Sequence, residues 1–169
     1  MTRIILKYLI SCLSTLAVAL TLPAIALAQA QIDGAWINTS STFQLDVVSS
    51  GSLVCGNYNA SSGDKLDFSA FIGSRKGKTM HVFFRNGFTE TDSQSLGDAS
   101  LFIEHGLLKW RLLHAPTGES YVWEKSELHR VKENLSSKQT QMITERCNRL
   151  GRKYKMVTPA NAAEVLSQP

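Results

Sequence analysis

The chain has 169 residues, with 18 Lys and Arg against 14 Asp and Glu, for a formal net charge of +4 at pH 7. That balance is too even for a nucleic-acid-binding surface, which needs a marked and clustered excess of cations. The three cysteines form no CxxC and stand at no zinc-ligand spacing with histidine, so no metal is expected.

Arg3 and Lys7 precede an apolar run from Tyr8 to Leu22, and Ala26-Leu27-Ala28 follows, with Ala28-Gln29-Ala30 as a second small-x-small site. This three-part pattern predicts a cleaved export signal over 1–28 and a secreted or periplasmic protein. Pro23 interrupts the run just before the cleavage motif, which argues against a lasting membrane anchor. Cleavage after Ala28 leaves 141 residues and a net charge of +2, one domain with room for a real core. It also removes Cys12 and leaves an even pair, Cys55 and Cys147. In an oxidising compartment such a pair favours a disulfide, with two buried free thiols as the other reading.

Eight short strands are expected at about 35–38, 43–48, 53–58, 66–72, 79–85, 99–104, 107–114 and 121–131. Phe43, Leu45 and Val47 alternate with Gln44 and Asp46, the period of a half-buried strand. Leu66, Phe68, Ala70 and Ile72 read as a second apolar face, Met80, Val82 and Phe84 as a third, and Leu108, Trp110 and Leu112 as a fourth. Turns fall at Ser49-Ser50-Gly51-Ser52, Ser61-Ser62-Gly63-Asp64, Arg75-Lys76-Gly77-Lys78, His105-Gly106 and Pro116-Thr117-Gly118. Even spacing with short turns predicts an all-β fold over 32–131, an eight-stranded antiparallel up-and-down barrel, with a sandwich as the competing all-β layout. Closure would also leave no bare sheet edge.

Composition changes after Val131, and residues 132–169 read as a helical C-terminal extension. Ser136 opens a helix, with Gln139 at capping-box distance. Met142, Ile143, Cys147, Leu150 and Tyr154 recur at helical spacing. Thr158-Pro159 opens a shorter helix. The basic residues Lys132, Lys138, Arg146, Arg149, Arg152, Lys153 and Lys155 read as a solvated helix face.

Gly34-x-Trp36-x-Asn38, Ser41-Thr42-Phe43 and Gly56-x-Tyr58, then Trp110-Arg111-Leu112-Leu113, then Thr117-x-Glu119-x-x-x-Trp123-x-x-Ser126-x-Leu128, follow one another in an order that resembles the avidin/streptavidin family of secreted biotin-binding barrels. The likeness runs from about Gly34 to Val131. Gly-x-Trp also opens lipocalin barrels.

The resemblance implies that Asn38, Ser41 and Tyr58 donate hydrogen bonds to the ureido oxygen of a biotin-like ligand. Phe84, Trp110 and Trp123 would wall its site. A loop tryptophan at Trp123 implies a homodimer or homotetramer. Fixed donors in a dry site polarise such an oxygen without reorganising as it binds. A turn role for Asn38 and Ser41 and rim packing for Tyr58 are the competing readings. Trp36 is expected at the closed end.

The chain departs from the family at three places. Phe84 and Leu96 replace tryptophans, and Val131 stands where an amide or acidic acceptor is expected. Thr91, Ser93 and Ser95 are all candidates for a further hydroxyl donor.

The four histidines, His81, His105, His114 and His129, are scattered, and no nucleophile motif precedes a helix, so an enzyme is not expected. The function predicted is non-covalent binding of biotin or a related small ligand, without cofactor. A protein-interaction or inhibitor module on a similar barrel is the alternative.

Overall fold

The computed structural model describes residues 32–85, 96–117, 122–131 and 137–168. The export signal, Thr91, Ser93 and Ser95, Glu119, the expected start of the last strand at 121, and Ser136 lie outside the described residues. The strands are β1 (Gly34–Asn38), β2 (Phe43–Ser50), β3 (Leu53–Ser62), β4 (Lys65–Lys76), β5 (Thr79–Arg85), β6 (Leu96–Glu104), β7 (Leu107–His114) and β8 (Lys125–Arg130). Each pairs antiparallel with its neighbour in sequence, and β1 pairs with β8 to close an eight-stranded barrel. Two helices follow, α1 (Ser137–Lys153) and α2 (Ala162–Ser167).

The closed sheet has two apolar faces. Inside, Trp36, Phe43, Leu45, Tyr58, Phe71, Val82, Phe84, Leu101, Leu108, Trp110 and Leu128 form one buried cluster. Eight strands enclose a lumen just wide enough for side chains or one small ligand. Here two glycines give the rings their room. Gly56 lies opposite Phe71 and Gly97 opposite Phe84 in the ladder. A Cβ on Gly56 would stand 2.3 Å from the Phe71 ring and 2.0 Å from the Asp46 carbonyl oxygen. On Gly97 it would stand 2.5 Å from the Phe84 ring. Each aromatic ring therefore covers the bare backbone of the strand beside it.

Outside, a second cluster joins Val48, Leu53, Cys55, Ile72 and Phe83 of the wall to Ile143, Cys147, Leu150, Val157, Ala162 and Val165 of the extension. The helices thus strap the outer wall of β2 to β5. Cys55 and Cys147 are joined in a disulfide with Cα atoms 5.7 Å apart. Polar ties flank it. The Ser50 hydroxyl donates to Asn148 Oδ1, the Ser52 hydroxyl to the Lys155 carbonyl, and the Val157 N–H to Ser74 Oγ, each at 2.7 Å.

Three sequence expectations are corrected. In β4 the alternation has the expected period and the opposite phase. Phe71 faces the lumen, whereas Leu66 and Phe68 are each 61% exposed on the outer wall. The β3 register decides this, because Phe71 must lie over Gly56. Ile72 is buried all the same, beneath the strap. On α1, Ile143, Cys147 and Leu150 face the barrel, and Met142, one position off that stripe, is exposed. Finally, α2 starts at Ala162 rather than at Pro159. The Asn161 side chain accepts from the Thr158 N–H and donates to the Met156 carbonyl, folding the intervening residues into a turn.

Candidate functional site

The two barrel ends differ. At the end where β1 begins, Trp36 donates from Nε1 to the Ile32 carbonyl at 2.7 Å, and the Arg130 guanidinium lies 4.9 Å from its ring centre. Ile32 is fully buried. This is the closed end, with Trp36 where the sequence puts it.

The opposite end carries the expected donors, and the side chains of Asn38 and Tyr58 have partners within the protein. Asn38 Oδ1 accepts from the N–H groups of Thr42 at 2.9 Å and Phe43 at 3.0 Å, while Nδ2 donates to Thr42 Oγ1. Its side chain therefore builds the β1–β2 turn, as asparagine often does. Ser41 is exposed on that turn, with φ of 57° and its N–H donating to the Asn38 carbonyl. Tyr58 is fully buried, and its hydroxyl lies 2.9 Å from both Asp67 Oδ1 and the Arg85 carbonyl. The Ser41–Asn38 bond links two of the three within the β1–β2 turn, while Tyr58 is held by Asp67 and Arg85.

The expected walls divide. Phe84 and Trp110 belong to an unbroken series of ring contacts through the lumen. Phe43 and Trp110 have centroids 5.2 Å apart, Trp110 and Phe84 5.6 Å, and Phe84 and Tyr58 5.3 Å. Trp123 lies outside this series. It is 41% exposed, and its carbonyl accepts from Trp110 Nε1 at 2.8 Å. Leu96 packs beside the strap, and the Val131 N–H donates to the Ala35 carbonyl.

Sequence reading missed Asp67, which is fully buried and receives the Tyr58 hydroxyl. Its signal was the β4 alternation taken in the other phase, which turns Asp67, Ser69 and Phe71 inward. It also missed Asp98, whose carboxylate meets His81 Nε2 at 2.6 Å and His114 Nδ1 at 2.5 Å on the outer wall. Among the described residues no group of three or more His, Cys, Asp or Glu side chains is arranged to hold a metal ion.

Two other carboxyls are perturbed by burial. Desolvation raises Asp33 and Asp46 above the ordinary 3.8, although the Ser49 hydroxyl donates to Asp33 and the Gln44 amide to Asp46. Folded Asp46 holds its proton more tightly than the unfolded chain does. Its ionisation therefore opposes folding, not at all below 3.8 and progressively more as pH rises through the raised folded value. Asp46→Asn, which keeps the acceptor for Gln44, is expected to raise the melting temperature at pH 7 and to leave it unchanged near pH 3. Melting curves at the two pH values check this.

No protein-family model matches the chain, and neither a curated protein nor a solved structure matches it.

Proposed function

We propose that the chain is an exported binding protein that holds a protein partner on the outside of its barrel and performs no covalent chemistry. The observation that supports this reading is the series of ring contacts among Phe43, Trp110, Phe84 and Tyr58 across the lumen where a small ligand would sit. Of the donors expected there, the Asn38 amide is engaged in the protein's own turn and the Tyr58 hydroxyl in its core. Recognition then falls to the wall. The disulfide supports export, because such bonds persist in oxidising compartments.

A second reading keeps the likeness to the avidin/streptavidin family and proposes a biotin-like ligand. One observation favours it: a polar pair, Tyr58 and Asp67, is buried among the rings, where buried polar groups commonly mark recognition.

One experiment separates the two. The mature protein is melted with and without millimolar biotin, and it is also used as bait in an extract of exported proteins. The expected result is an unchanged melting temperature and one stoichiometric protein partner. A rise with biotin that Tyr58→Phe abolishes would overturn the protein-binding reading.

A further inference from the structure

We infer that the outer wall of β7 and β8 is the docking surface for an acidic, apolar-flanked segment of that partner, an inference that rests on the protein-binding reading above. The ladder sets Lys109 opposite Glu127 and Arg111 opposite Lys125. The Leu112 N–H donates to the Glu124 carbonyl at 2.8 Å, which carries the pairing one step further, toward Leu113 and Trp123. Two cross-strand pairs thus follow one another on one wall, with Leu113 and Trp123 next in each segment.

Their chemistry differs. Lys109 forms ion pairs with both Glu127 and Glu104, so its charge is met within the protein. Arg111 and Lys125 are both exposed, and neither has an acidic partner among the described residues. Like charges directly opposite each other on a sheet repel and destabilise the pairing. An anion placed between them would remove that repulsion. Beside them Leu113 is 44% and Trp123 41% exposed, although both are large and apolar. A groove of about 440 Å³ runs along the same wall, lined by Phe102, Arg111 and Lys125 and by Lys109 with its two partners Glu104 and Glu127.

Tryptophan and arginine are the side chains most enriched where binding energy concentrates. The surface therefore offers an apolar contact next to a double positive charge. The complement is a segment whose carboxylates alternate with apolar side chains. A basic segment would add to the repulsion. So would a second copy of this wall, since a two-fold contact would bring Arg111 and Lys125 against their own equivalents.

The test uses the full chain and a short fluorescein-labelled peptide of alternating glutamate and leucine, read by fluorescence anisotropy. A lysine-leucine peptide is the control. Binding is expected to favour the glutamate peptide and to weaken as salt rises. Arg111→Ser with Lys125→Ser should weaken it by about tenfold or more and flatten the salt dependence, and Trp123→Ser should weaken it by about tenfold. These positions are exposed, so the variants should melt no lower than the parent, and the double variant, relieved of its like-charge pair, no lower or slightly higher. Equal binding of both peptides, or undiminished binding by the double variant, overturns the inference. A natural partner retained undiminished by the double variant overturns this surface and leaves the protein-binding reading standing. If the parent chain retains no partner at all, it is that reading which falls.

Discussion

Replacing Phe84 by alanine is expected to lower stability by about 4 kcal/mol, the upper range for emptying a packed aromatic site. Phe84 is fully buried, touches the rings of Tyr58 and Trp110, and covers Gly97. Its removal strips two neighbours of their contacts and leaves a void that the stiff closed sheet cannot collapse to fill. Urea unfolding of parent and variant measures the difference. Phe84→Leu should cost less, about 1 kcal/mol, because most of the volume remains. The same measurement bears on function. Were the lumen an open, wetted ligand site, Phe84 would be a wall with water behind it, and its truncation would cost less than about 1 kcal/mol. A loss that small would remove the main argument for recognition on the outer wall.

The second large effect concerns the strap. Replacing Cys55 and Cys147 together by alanine is expected to cost roughly 4 kcal/mol, since the bond closes a loop with a sequence separation of 92 and restricts the unfolded chain strongly. The barrel itself should persist. Its ladder is complete without the strap, and the strap keeps its apolar contacts and its bonds through Asn148, Lys155 and Val157. Circular dichroism should therefore show an unchanged sheet signal, while the urea midpoint falls and limited proteolysis cuts α1 sooner. A midpoint equal to that of the parent would mean that the cystine constrains nothing.

Much of this architecture was legible from local chemistry. Turn residues such as Ser49-Ser50-Gly51-Ser52 and His105-Gly106 punctuate the chain, so strand existence and order follow from the sequence, and β5 and β7 agree with expectation from end to end. What local pattern could not supply was phase. In β4 either alternate set contains apolar residues, and only the glycine across the ladder selects Phe71 for the interior. The strap misled in the same direction. It buries Ile72 on the outer wall, so an outward residue carries an inward-looking hydrophobicity.

The candidate site was less legible than the fold. Asn38, Ser41 and Tyr58 are residue types equally at home in a ligand site and in a turn or core. Their hydrogen-bond partners, Thr42, Phe43 and Asp67, decide what they do here. Arg111 and Lys125 sit on different strands, and no sequence motif links them. Their meaning comes from facing each other, which a linear string does not display.

Two long-range links in this molecule have a consequence for how it matures. The seam between β1 and β8 joins Asn38 to Leu128, and the cystine joins Cys55 to Cys147. Every other strand pairing is between neighbours and is available as soon as those neighbours exist, but both of these links wait for the C-terminal part of the chain. Until it arrives the growing meander has two raw margins and a bare greasy wall. A product cut short after β7 is accordingly expected to clump rather than to survive as a smaller domain.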